Sequence, residues 1–221
     1  MIGAPRVHHR ETGSTNLLAR ELAAAGAPHG TLVTAGHQTA GRGRSDRTWQ
    51  APPGSSVLMS VVVRPADQLL PLRAAVAVAD VIGGAAAIKW PNDVLIGGRK
   101  ACGILVEGRP QEGWAVLGIG LNVLPVEFPP DLNATALDDG RDVEEVLAAL
   151  LATLGERIPQ PASGVLGDWR ERDTLLGKRI EWDGGSGTAA GVDESGALLV
   201  DTGEGRMALD AGEVHLDPLD G

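Results

Sequence analysis

The run His37-Gln38-Thr39-Ala40-Gly41-Arg42-Gly43-Arg44-Ser45-Asp46-Arg47-Thr48-Trp49 places three arginines and two glycines together in a chain whose formal net charge is -10. Glycine lets a backbone approach a ligand and donate amide hydrogens, and arginine forks grip phosphate or carboxylate through two parallel bonds. The run lacks the Lys-Ser/Thr ending of a P-loop, so by itself it divides between anion capture and a solvated hairpin. A second candidate is Lys89, at the end of the apolar strand Ile88-Lys89-Trp90 and before the turn Pro91-Asn92-Asp93. A lysine there is expected to stand over a cleft and balance negative charge as a carboxylate meets an α-phosphate; its bland alternative is a cation snorkelling from a sheet edge. Two further stretches, Ser14-Thr15-Asn16 and Gly118-Ile119-Gly120-Leu121-Asn122-Val123, read in isolation as a helix cap and as a strand with its turn.

Elements must hold these residues in place. Ser14 to Asn16 precede an Ala/Leu-rich helix over Leu17 to Ala25 that stops before Gly26. Strands are expected over Thr31 to Ala35 and Ser56 to Val63, joined by the Gly/Arg-rich loop Gly36 to Gly54, and a loop of that length is usually functional. A helix lies within Pro65 to Gly84. Val94 to Ile96, Lys100 to Glu107 and Trp114 to Gly120 follow as antiparallel strands, with Gly97-Gly98 as a hairpin turn. Asp142 to Ile158 has amphipathic spacing, and Pro159 to Gly167 reads as a breaker-rich connection to Asp168-Trp169. From Gly177 the texture becomes short strands and Gly-rich turns (Arg179 to Trp182, Gly187 to Val192, Ala197 to Asp201, Met207 to Leu209, Glu213 to Leu216), the pattern of a small barrel. Strands and helices do not alternate regularly enough for a doubly wound parallel sheet. The fold class expected is therefore α+β, a mixed sheet flanked by helices over residues 1–173, followed by a small β-barrel over 174–221.

Composition narrows the setting. The single cysteine, Cys102, cannot form an internal disulfide and fits a reducing compartment, and no apolar run reaches signal-peptide or membrane-span length, so a cytoplasmic protein without membrane contact is expected. The acidic balance disfavours nonspecific DNA binding, which needs a basic face. His8 and His9 are adjacent and His29, His37 and His215 isolated, so no protein-held metal is expected. Asp138-Asp139 and Asp142 to Glu145 read as solvated loop and helix-start charges.

Taken in order, Ser14 to Asn16, Gln38 to Arg44, Lys89 to Asp93, Gly103 to Glu107 and Gly118 to Val123 resemble the motifs of the biotin protein ligase catalytic domain, and the resemblance spans nearly the whole chain. It implies a mixed sheet of the class II aminoacyl-tRNA synthetase type with a C-terminal Src-homology-3-like barrel. It further implies an ATP-dependent ligase that forms biotinyl-5′-AMP from biotin and MgATP, then transfers biotin to a lysine of a biotin carboxyl carrier protein domain. Carried over residue by residue, Ser14, Thr15, Asn16, Gln38, Gly41, Arg42, Gly43, Arg44 and Lys89 are expected at biotin. Arg42, Arg44, Arg47, Trp49, Lys89, Asn92 and Asn122 are expected at the nucleotide, with Lys89 and Arg44 catalytic and Mg²⁺ carried on the phosphates. The Ser-Thr-Asn motif begins at residue 14, leaving no room for an N-terminal DNA-binding domain, so a ligase without repressor function is expected, as a monomer or weak ligand-dependent homodimer. Ser45 and Asp46 depart from the family pattern, and Asp46 is expected to pair with Arg47 and weaken anion capture in the empty state. Cys102 stands where the family has a small residue and is expected to act as a buried small hydrophobe. The rivals are a lipoate or octanoate ligase or transferase, which shares the fold but lacks the Gly-Arg-Gly-Arg pattern, and a noncatalytic biotin sensor, for which the lysine would be unnecessary.

Overall fold

The computed structural model describes residues 1–45, 47–129, 131–210, 212 and 214–216. In chain order the elements are β1 (Arg6–His9), α1 (Thr15–Ala24), β2 (Leu32–Ala35), β3 (Ser56–Val63), α2 (Leu70–Ile82), β4 (Ala86–Lys89), β5 (Asp93–Ile96), β6 (Arg99–Arg109), β7 (Trp114–Asn122), α3 (Val143–Arg157) and α4 (Ala162–Arg170). They are followed by β8 (Arg179–Trp182), β9 (Gly185–Val192), β10 (Leu198–Thr202), β11 (Gly205–Leu209) and β12 (Val214–Leu216). The first seven strands form one sheet in the order β1-β2-β3-β7-β6-β5-β4, antiparallel except for the parallel β1–β2 pair. The last five form a second, antiparallel sheet in the order β11-β10-β9-β8-β12, the small barrel-like unit expected from the C-terminal texture. No helix among the described residues is long and apolar enough to cross a membrane.

The two faces of the large sheet differ because alternate residues of each strand point to opposite sides. Val57, Met59 and Val61 of β3, with Leu117, Ile119 and Leu121 of β7, join the main core together with the Ala/Val-rich α2 and with Leu147, Leu150 and Leu154 of α3. Each fully buried leucine contributes about 1.5–3 kcal/mol relative to exposure. On the opposite face Val62 and Val116 pack with Val33 against Ala19 and Ala23 of α1. That helix covers only part of its face, and the uncovered remainder becomes the cleft described below.

Three elements differ from the sequence expectation. The N-terminal strand β1 escaped notice because its residues are mostly exposed; only pairing with β2 makes it a strand. The stretch read as breaker-rich is the helix α4, starting just after Pro161 and anchored by fully buried Trp169, so packing prevails over its glycines. Ser14 stands at the start of α1, but its side chain makes no capping hydrogen bond; the true side-chain cap is at α3, where Asp142 and Glu145 form a reciprocal capping box. The Gly97-Gly98 turn appears as expected, with both residues at positive φ (57° and 75°). Glu213, expected to open the last strand, lies outside the described residues.

The second sheet is fastened to the first. The Trp90 indole N–H donates to the Gly196 carbonyl at 3.0 Å, Arg170 donates to the Val192 carbonyl at 2.9 Å, and the segment after α4 bridges to β4 at Ile88 and Asp173. At this junction Asp173 accepts the Leu175 amide at 2.8 Å through Oδ1, while Oδ2 makes no hydrogen bond. Burial raises the carboxyl above the ordinary aspartate range. The folded state then holds this proton more tightly than the unfolded chain, so the group's contribution is full at low pH and is lost as pH rises through the raised folded value. Asp173→Asn, which keeps the Oδ1 acceptor and removes the charge, is expected to raise the urea midpoint at pH 7. The gain should shrink toward pH 4, as read from unfolding curves at the two pH values.

Candidate functional site

The cleft begins where β7 loses its side chains. Along its α1 face the strand reads Trp114, Val116, Gly118, Gly120, Asn122: the first two lie under α1, and then two glycines leave bare backbone. Gly120 pairs with Gly103 of β6, and Gly118 pairs with Leu105. These glycines are required by what sits on them. A Cβ on Gly118 would lie 2.1 Å from Asn16 Oδ1, and one on Gly120 would lie 2.5 Å from the Trp49 ring. The result is a cleft of about 500 Å³, a size suited to a small molecule.

One end is polar and uncharged. Gln38, held beside the chain by a bridge to Thr12, accepts through Oε1 from the Thr15 amide (2.8 Å) and hydroxyl (3.1 Å). The buried Ser60 hydroxyl on β3 donates to Asn16 Oδ1 at 2.6 Å and lies 2.8 Å from Thr15 Oγ1. Ser14, Thr15 and Asn16 are all buried, and the Ser14 hydroxyl lines the cleft with no hydrogen-bond partner. A buried hydroxyl without a partner costs about 1–3 kcal/mol, which a bound acceptor or donor can recover.

The other end is cationic. The Gly/Arg loop folds as a small hairpin, with Arg42 bridging Thr48, the Gly43 amide donating to the Arg47 carbonyl at 2.7 Å, and the Trp49 amide donating to the Gly41 carbonyl at 2.9 Å. Arg42, Gly43, Arg44, Arg47 and Trp49 line the cleft. Gly41 does not; it is buried in the loop base, where a Cβ would lie 2.4 Å from the Trp49 carbonyl oxygen. Asp46 lies outside the described residues.

Lys89, expected over the cleft, is not among the residues that line it. It belongs to β4, the edge strand, in register with Asp93 and three strands from β7. The lysine that reaches the cleft is Lys100, whose Nζ lies 2.7 Å from Asp93 Oδ1 and 5.7 Å from the centre of a Trp49 ring. Simple alternation from Gly103 would turn Lys100 away and Ala101 inward. Instead the β5–β6 register steps from Val94↔Cys102 to Leu95↔Lys100, so Ala101 is an extra residue on β6 and the bulge re-aims the lysine. Ala101 and Cys102 both join the main core, and burial pushes the Cys102 thiol up, as befits an inert small hydrophobe.

Asn92 and Asn122 do line the cleft, and both also serve the scaffold. Asn92 donates from Nδ2 to the Ile104 carbonyl at 2.9 Å; Asn122 donates to the Thr135 carbonyl at 3.0 Å and accepts from Ser56. The far wall, Phe128, Pro129 and Asp131 to Ala134, carried no sequence signal. It is docked by backbone bonds between Lys100 and residues 133 and 135, both at 2.9 Å. Among the described residues no group of three His, Cys, Asp or Glu side chains could hold a metal ion. The arrangement can bind a neutral polar head on bare backbone and gather anionic groups at the Arg42/Arg44/Arg47/Lys100 end.

Residues 7–123 match the biotin/lipoate A/B protein ligase family, and residues 177–217 match the biotin protein ligase C terminal domain. The biotin--[acetyl-CoA-carboxylase] ligase of Mycobacterium tuberculosis is 38% identical over 93% of this chain and 87% of its own length. The bifunctional ligase/repressor BirA of Bacillus subtilis is 34% identical over 98% of this chain and 75% of its own. Among solved structures, the biotin protein ligase from Aquifex aeolicus in complex with biotin and ATP superimposes with a TM-score of 0.81 at 26% identity, covering 97% of this chain and 99% of that one.

The glycine floor is directly testable. Gly118→Ala is expected to displace the Asn16 amide and break its bond to Ser60, costing about 1–3 kcal/mol of stability in urea unfolding. Gly120→Ala is expected to shift Trp49 instead, read as a change in tryptophan emission. An unchanged midpoint for the first variant and unchanged emission for the second would contradict the close contacts.

Proposed function

Because the chain belongs to the biotin/lipoate A/B protein ligase family and, within it, to the biotin protein ligases, we propose that it forms biotinyl-5′-AMP from biotin and MgATP and transfers the acyl group to a lysine of a carrier domain. The observation that carries this reading is one cleft whose uncharged polar end, Ser14 to Asn16 with Gln38, is continuous over bare glycine backbone with a cationic end of Arg42, Arg44, Arg47 and Lys100. A ureido ring offers one strong acceptor and two donors on an apolar body, which the unpartnered Ser14 hydroxyl and the glycine floor suit. Its carboxylate would then lie toward the cations.

In the first half-reaction the biotin carboxylate oxygen attacks the α-phosphorus of ATP, forming the acyl–phosphate bond as the bond to pyrophosphate breaks. Both reactants are anionic, and the cleft's cations offset the repulsion and the charge that passes to the leaving pyrophosphate. Lys100 is the proposed catalytic lysine, held by Asp93 from below and covered by Trp49. In the second half-reaction the carrier's ε-amine attacks the acyl carbon, AMP departs with the bonding pair, and the amine loses its proton to solvent. No protein nucleophile is required. Magnesium enters as part of the MgATP substrate, consistent with its habit of keeping waters and phosphate oxygens as ligands. The net charge of -10 supports ligation without a DNA-binding role for these residues.

Pyrophosphate release from MgATP with biotin, lipoate or octanoate as the only added acid tests the reading. Release is expected with biotin alone; release with lipoate or octanoate alone would overturn the substrate, and none with any acid would favour a sensor. Lys100→Ala is expected to lower the turnover number by about 10²-fold or more. Lys89→Ala, away from the cleft, should keep the turnover number within about twofold of the parent. Equal losses in the two variants would contradict the assignment of Lys100.

A further inference from the structure

Glu107 takes no part in the steps above, yet it stands beside an anion-binding cleft, where a negative charge repels the substrate. Its side chain is only 17% exposed, on β6 at the level where β7 passes from α1 to the glycine floor. Its two oxygens serve three residues. Oε2 accepts from Asn16 Nδ2 at 2.9 Å, and Oε1 accepts from Arg20 Nη1 at 3.1 Å and lies 3.3 Å from Arg42 Nη1. Asn16 belongs to the uncharged polar part of the cleft and Arg42 to its cationic part, and the two meet at this carboxylate, whereas Arg20, one helical turn after Asn16 on α1, does not line the cleft.

A mostly buried carboxylate needs a counter-charge. Arg20 supplies one from outside the cleft, so Arg42 is not consumed in neutralising Glu107 and stays available to a ligand. We propose that Glu107 is a positioning residue that ties the two ends of the cleft together: one oxygen fixes the Asn16 amide, the other aims the Arg42 guanidinium, and Arg20 is its standing counter-charge. The inference rests on the adenylation reading for its kinetic consequences, but the hold on the loop is a property of the ligand-free protein. Glu107→Gln keeps an acceptor for Asn16 and loses the ionic hold on Arg42, so its effect should fall on the nucleotide. Arg20→Gln should draw Arg42 onto Glu107 and raise the same parameter without touching the cleft.

The experiment compares parent, E107Q, R20Q, R42Q and E107Q/R42Q proteins in biotin-dependent pyrophosphate release and, without ligand, in limited trypsin cleavage after the loop arginines. The inference expects E107Q to raise KM for MgATP about tenfold with KM for biotin within about twofold, the size of one charge-assisted contact. It expects R20Q to raise KM for MgATP too, and E107Q to add less than about twofold in the R42Q background. Loop cleavage should accelerate in E107Q at an unchanged unfolding temperature. Equal E107Q penalties in the presence and absence of Arg42, or unchanged loop cleavage, would overturn the inference. If E107Q does not fold, R20Q decides: an unchanged KM for MgATP overturns it. A parent protein releasing no pyrophosphate refutes the adenylation reading, and loop cleavage alone then decides for Glu107.

Discussion

Gly103, Gly118 and Gly120 leave a strip of one face of the β6–β7 pair without side chains, and the rest of the cleft is placed relative to that bare strip. Asn16 can lie against β7 only because Gly118 has no Cβ, and the Trp49 ring can rest on the sheet only because Gly103 and Gly120 have none. The same strip fixes where α1 must stop covering the sheet. Val116 still carries a side chain and packs under the helix, while two residues later the helix start has become the polar wall. On the other face, Leu117, Ile119 and Leu121 of the same strand remain in the main core, so the strip is rigid although one side is open. A site built on strands holds its geometry more tightly than one built on loops.

Charge is arranged on that frame with little waste. The chain is acidic overall, yet its cleft concentrates Arg42, Arg44, Arg47 and Lys100, and two acids beside them are used as struts. Asp93 holds Lys100, and Glu107 contacts Arg42 while being balanced by Arg20. Each strut removes some positive field from the site and in return limits the conformations of a long side chain, which reduces the entropy lost when a ligand is gripped. The link from Trp90 to the Gly196 carbonyl extends the same logic to the second sheet, because Trp90 leads directly into the turn that carries Asn92 and Asp93.

Much of this was legible in the sequence, and the rest was hidden for identifiable reasons. The strands over Ser56 to Val63 and Trp114 to Gly120, the Gly97-Gly98 turn and the C-terminal run of short strands all follow from local pattern, the β7 strand running two residues further to Asn122. The Ser-Thr-Asn and Gly-Arg-Gly-Arg stretches are brought to one cleft. Lys100 was hidden because a bulge at Ala101 reverses the alternation by which a strand's inner face is read, and a lysine two strands away looked equally well placed. The far wall, Phe128, Pro129 and Asp131 to Ala134, was hidden because it has no periodicity and is docked by bonds to β6 and to the Gly97-Gly98 turn, which are distant in sequence. The edge strand β1 and the helix α4 depend on partners distant in sequence, which no local propensity reports.

The central claim is that this cleft activates biotin for transfer to another protein. The most direct test is mass spectrometry of a biotin carboxyl carrier domain after incubation with the protein, biotin and MgATP. The account predicts a single biotinyl addition that maps to one lysine, is absent when either biotin or MgATP is withheld, and is lost when that lysine is replaced by arginine. Pyrophosphate release without any acylation of the carrier, or acylation that proceeds with lipoate in place of biotin, would contradict it.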